Sequence, residues 1–195
     1  MNGSSRRGKI YSYLLCALFA AITAICSQIM IPLPFSPVPI NLALLAVWVC
    51  GGVLGAKKGA IAILVYIFLG VIGVPVFHGF AGGIGMLAGP TGGYIIGYLP
   101  AVIIYGLLVH KSFFGPVSEN RGKSVQSFIL IVVKGLPALA ACYALGTAWF
   151  VISTGTGLMP ALMMCVIPFI PGDILKLIAA AVILKALVKP IKALG

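Results

Sequence analysis

Apolar stretches close to 20 residues long recur from one end of this chain to the other, and that recurrence limits what it can fold into. About 20 consecutive apolar residues are what a helix needs to cross a hydrocarbon core of roughly 30 Å. A membrane β-barrel would instead show segments of about ten residues with alternating polarity. With 62% of its 195 residues hydrophobic and 8% charged, the chain also lacks the polar surface of an ordinary soluble domain. The sequence therefore reads as an all-α integral membrane protein, a single domain over residues 1–195. Its six transmembrane helices are expected at about residues 10–31, 40–56, 59–73, 92–109, 128–152 and 172–189. The first apolar run is too long for a signal-peptide core and reads as a retained helix.

Charge sets the orientation. Placing the N-terminus in the cytoplasm puts Arg6, Arg7, Lys9, Lys57, Lys58, Lys111, Arg121, Lys123, Lys185, Lys189 and Lys192 on the inner side, 11 of the 13 Lys and Arg residues. The outer connections, residues 32–39, 74–91 and 153–171, then contain neither Lys nor Arg, which matches the positive-inside bias. Both termini are thus expected in the cytoplasm and the protein in the cell (plasma) membrane. The net charge of +11 flanks apolar spans and forms no continuous stripe, so it reports contact with a lipid bilayer and not a nucleic-acid partner. Cys16, Cys26, Cys50, Cys142 and Cys165 all fall in apolar runs without Cys-x-x-Cys or histidine spacing, so they read as packing residues. No metal and no cofactor are expected.

The outer connections are long, apolar and rich in Gly and Pro. Residues 74–93 are too apolar to float in water, and their unpaired backbone cannot face lipid, so they should fold back as a lid over a substrate pocket. Residues 32–39 carry four prolines in eight positions and read as a stiff, extended lid edge. Residues 158–167 are too short to span, and Pro168 and Pro171 after them suggest an interrupted start to the last helix. Lys134 lies within the fifth span, where a helix beginning later than predicted by hydropathy is favoured over a second charged site.

Asp173 is one of two acidic residues in the chain and sits in an apolar context, where a charge costs roughly 2.5 to 3.5 kcal/mol at the centre of a bilayer. Lys176 follows three residues later, on the same helix face. The carboxylate accepts hydrogen bonds and the ammonium donates them, a pair suited to a ligand with both N–H groups and a carboxylate. A mutual salt bridge that merely neutralises two buried charges is the plainer reading. Gly89-Pro90-Thr91-Gly92-Gly93-Tyr94 opens the fourth helix, with Thr91 a candidate N-cap and Gly92 and Gly93 able to admit a ligand near the backbone. Phe35, Phe77, Phe80, Tyr94 and Phe169 are candidates for apolar walls. In the first helix, Ala17 with Ala21 and the offset pair Ala20 with Ala24 form small-residue faces that let another helix approach.

Pro37-Val38-Pro39-Ile40, Gly89-Pro90-Thr91-Gly92-Gly93-Tyr94 and Pro171-Gly172-Asp173-Ile174-Leu175-Lys176 occur in this order, and over nearly its whole length the chain resembles BioY proteins. These are the biotin-specific substrate-binding (S) components of energy-coupling factor (ECF) transporters. The resemblance implies a non-catalytic subunit holding biotin in an outward-facing pocket, with Asp173 and Lys176 as polar ligand contacts. It also implies partnership with a transmembrane coupling subunit, met by the alanines of the first helix, and with two cytoplasmic ATPases. Many relatives follow Pro-Val-Pro-Ile with Thr-Leu-Gln; here Asn41-Leu42-Ala43 stands there, and Asn41 is a candidate substitute contact. An S component for another small carboxylate-bearing vitamin, and a small polytopic membrane enzyme using Asp173 and Lys176, are the alternatives. No Walker-type phosphate loop occurs in the sequence.

Overall fold

The computed structural model describes residues 3–110 and 125–193. Lys111, Arg121 and Lys123, assigned above to an inner loop, lie outside the described residues. The chain is mostly helical, in the order α1 (Gly3–Gln28), β1 (Met30–Leu33), β2 (Ser36–Asn41), α2 (Ala43–Val71), α3 (Ile84–Ala88), α4 (Gly92–Tyr105), α5 (Val125–Thr154), α6 (Leu158–Cys165) and α7 (Ile170–Ala193). Among the described residues five helical stretches are long and apolar enough to cross a membrane: Ile10–Gln28, Ala43–Val71, Gly92–His110, Phe128–Thr154 and Leu158–Leu187.

α2 is not straight. Gly55 takes φ +73° and ψ −178°, outside the helical region and in a conformation that an L side chain resists. The chain folds back there: a β-carbon on Gly59 would stand 3.6 Å from the Gly51 α-carbon, where a straight helix would separate residues eight apart by about 12 Å. The His110 ring packs over the reversal, and its Nδ1 lies 3.0 Å from the Gly52 carbonyl oxygen. α4 packs between α2 and α5, α1 runs along α2, and α7 contacts α2 and α5. The core these helices bury includes Trp48 and Tyr105, whose ring centroids are 5.2 Å apart. All five cysteines are free, and four of them are buried.

Several expectations need correction. α1 ends at Gln28, because Met30–Leu33 pairs with Ser36–Asn41 as an antiparallel hairpin and takes residues 30 and 31 out of the helix. The stiff extended segment is thus a hairpin, not polyproline chain. Its prolines, 32, 34, 37 and 39, avoid the registered pairs Met30↔Asn41, Ile31↔Ile40 and Leu33↔Ser36, as a residue with no N–H must. α5 starts at Val125, so Lys134 sits nine residues inside a helix and not before it. The last helix is preceded by α6 and by a 3-10 turn at Ile167–Phe169, where Pro168 interrupts the regular hydrogen bonding.

Candidate functional site

α7 begins at Ile170, so Asp173 falls in its first turn, where the helix dipole favours negative charge. Its side chain is buried, and a buried carboxylate is tolerable when its oxygens are engaged. Both are. Lys176 Nζ donates to Oδ1 at 2.6 Å along the same helix, and the Tyr143 hydroxyl, from α5, donates to Oδ2 at 2.5 Å. The ammonium is nearly as enclosed as its partner, with side-chain exposures of 9% for Lys176 and 5% for Asp173.

These groups form one wall of a cavity with about 50 Å³ of space for the centres of water-sized molecules, several times what one water requires, so it is more than a packing fault. Other elements complete the enclosure. β2 and the start of α2 bring Val38, Pro39, Asn41 and Leu44; α4 brings Tyr94, Ile95 and Tyr98; α5 adds Cys142; and the α6 end adds Cys165 with Phe169 beyond it. Thr91 and His78 close the remaining side, with His78 Nε2 3.3 Å from Thr91 Oγ1. Burial lowers the His78 pKa from its ordinary value, so the imidazole is held neutral. The cavity therefore joins apolar and aromatic surfaces to a single cation, a single carboxylate and a few hydroxyls. The carboxylate is already engaged by Lys176 and Tyr143, so the set is suited to binding and orienting a ligand.

Asp173, Lys176, Thr91, Tyr94, Asn41 and Phe169, singled out from the sequence, all border this cavity. Thr91 is at the N-cap position of α4 but its hydroxyl faces His78 and makes no capping bond. The Asn41 side chain accepts from the Ala43 N–H at 3.0 Å and so also secures the start of α2. Other candidates are elsewhere. Phe35 is at the hairpin tip and 53% exposed, whereas the fully buried Phe77 ring packs edge-on against Tyr66, at 5.6 Å between centroids. Gly92 and Gly93 admit protein, not ligand: a β-carbon at Gly92 would collide with the Leu87 backbone and one at Gly93 with Trp149. In α1, Ala17 and Ala21 are exposed, but Ala20 is buried in the core and Ala24 is half-buried against it, so the offset pair is not an open face. Tyr143, Tyr98, Cys142 and Cys165 were not singled out for the site. The available signal for Tyr143 and Tyr98 was a hydroxyl placed inside an apolar span, where a buried O–H needs a hydrogen-bond partner.

Residues 2–193 match the family model described as the BioY family. The chain is 38% identical to the "Probable biotin transporter BioY" of Pyrococcus horikoshii, over 89% of this chain and 93% of that protein. It is 34% identical to the "Biotin transporter BioY" of Rhizobium etli, over 89% and 90% of the two chains. Its structure superposes with a TM-score of 0.79, at 30% identity and over 94% of this chain and 93% of the other, on a crystal structure of the S-component for biotin from an ECF-type ABC transporter.

Proposed function

Because the chain belongs to the BioY family, we propose that it is the biotin-capturing S component of an ECF-type vitamin uptake transporter, with no catalytic step of its own. The observation that carries this reading is the buried Asp173–Lys176 pair, joined by Tyr143, on the wall of an otherwise apolar cavity. Biotin offers ureido N–H groups that a carboxylate accepts and a valerate carboxylate that an ammonium binds. The two side chains neutralise each other, and an arriving ligand replaces part of that contact with its own complementary groups. The plain salt bridge and the binding site are then two states of one pair, and the cost of opening the pair is offset by the bonds the ligand supplies.

Six crossings follow if the two arms of α2 on either side of Gly55 each traverse the bilayer. Both termini then lie in the cytoplasm with the Lys57-Lys58 turn, and the cavity opens outward. Ala17 and Ala21 form the surface for the transmembrane coupling subunit, and two ATPase subunits supply the energy. The exposure of these two alanines supports that assignment.

The test uses protein purified in detergent and labelled biotin without ATP. Saturable one-to-one binding is expected, abolished or greatly weakened in Asp173→Asn and Lys176→Ala. Competition separates the ends of the ligand: biotin methyl ester, which lacks the acid, should compete poorly with wild type and lose little further against Lys176→Ala. Unchanged binding by both variants would remove the site assignment, and turnover of a substrate by the isolated chain would remove the functional one.

A further inference from the structure

The Gln28 side chain at the end of α1 touches its own helix, with Nε2 3.2 Å from the Ala24 carbonyl oxygen, and also reaches well beyond it. Gln28 Nε2 lies 3.2 Å from the Val76 carbonyl oxygen and 3.0 Å from that of Phe77, and its Oε1 accepts the Phe80 N–H at 2.8 Å. Ser27 Oγ adds a contact to the Val76 carbonyl at 2.5 Å. These partners are 48 to 52 residues away in sequence, so the contacts join two elements and do not merely finish a helix.

The Phe77 N–H bonds the Ala81 carbonyl at 3.0 Å and closes the segment on itself, whereas the Phe80 N–H inside that closure is bonded from outside, by Gln28. Gly79 and Phe80 are both left-handed, at φ +70° and +57°, and for Phe80 that conformation is strained. The Phe80 ring is 73% exposed, so packing of that ring does not compensate; its N–H reaches Gln28 instead. On the other flank the Phe77 ring is buried in a slot left open by Gly70. His78 lies between the two anchors and reaches Thr91 on the cavity wall.

We propose that Gln28 is a positioning residue for ligand retention: by fixing the turn at residues 76–80 it holds His78 against Thr91, so the rate of ligand escape is set at the end of α1. The inference rests on the ligand-capture reading above. It also makes α1 the route by which a displacement of that helix reaches the cavity, since moving Gln28 removes the acceptor that the strained Phe80 N–H depends on.

Two variants and two readouts test it. Gln28→Leu removes the bonds that Gln28 makes to the turn and leaves the Ser27 contact to Val76, whereas Gln28→Glu keeps an acceptor for Phe80 and loses the N–H donors. In ligand-free protein, amide exchange over residues 74–83 should quicken in both variants, more in Gln28→Leu, and remain unchanged in α4. Labelled biotin should dissociate about tenfold faster from Gln28→Leu, the loss expected of roughly one net hydrogen bond, with association and thermal midpoint little changed. Because His78 acts through the same turn, His78→Ala should also speed dissociation, and Gln28→Leu should add little on that background. Unchanged exchange at residues 74–83, unchanged dissociation, or effects of the two substitutions that multiply would each overturn the proposal. Wild-type protein that binds no biotin would sink the capture reading itself, whereas wild-type binding with an indifferent Gln28→Leu would sink the Gln28 assignment alone.

Discussion

Asp173 has one oxygen bonded to Lys176 and the other to Tyr143, and the two partners make different predictions. Asp173→Asn leaves a buried ammonium without its counter-charge and puts a donor where an acceptor is needed, so biotin binding should weaken at least about 100-fold. Tyr143→Phe keeps the ring and loses one bond to a charged group, for about tenfold weaker binding at equilibrium. His78 predicts a pH dependence. Its folded pKa lies below the ordinary 6.5, so the unfolded chain binds more protons between the two values; the stability it contributes is present above that window and is lost as pH falls through it. A thermal midpoint in detergent that drops on acidification from neutrality should drop less in His78→Gln. At this scale the two charges were legible because charge is rare here, and Thr91 and Tyr94 because glycines mark the start of α4. Tyr143 was not, since its bond to Asp173 crosses between helices 30 residues apart and a tyrosine in an apolar run reads as packing. Phe35 and Phe77 show the converse limit: an aromatic residue in a loop does not reveal which way it points.

Helix packing depends on glycines that the sequence suggested for a different role. Gly93→Ala forces a methyl group into Trp149 and the Leu145 carbonyl across the α4–α5 contact, so it should lower the thermal midpoint through about 1 to 3 kcal/mol of overpacking, with or without ligand. Gly172, by contrast, meets nothing within 4 Å and has an ordinary helical place in α7. Gly172→Ala should leave stability unchanged or raise it by up to about 1 kcal/mol. Thermal unfolding of the two variants side by side checks the distinction. The helical elements were legible because hydrophobic runs of this length have few other solutions. The hairpin at residues 30–41 was not, since strand pairing between proline-rich segments depends on which N–H groups meet, and that is a property of register. Lys57-Lys58 marked the break expected between two spans, whereas the position of the bend, at Gly55, is a property of the backbone.

For the molecule as a whole, the asymmetry of basic residues predicts that reporters fused to either terminus are active on the cytoplasmic side alone; one terminus reporting from outside would refute the proposed orientation. Replacing Ala17 and Ala21 with leucine should spare biotin binding by the purified chain and reduce uptake when the coupling and ATPase subunits are present, because both side chains are exposed on α1 and neither touches the cavity. The helical membrane architecture was legible at this scale from hydropathy, whereas the link from α1 to the turn beside the cavity was not, since it runs through Gln28 and backbone atoms that carry no sequence signature. The placement of Asp173 and Lys176 on one helix, three residues apart, also bears on biogenesis. The final segment brings its own counter-ion, so the carboxylate can leave the insertion machinery already paired, without waiting for an earlier segment to supply a cation. Splitting the pair between two segments, by moving the ammonium to α5, would make integration of the last one contingent on prior assembly and leave a larger share of newly made chains exposed to membrane proteolysis.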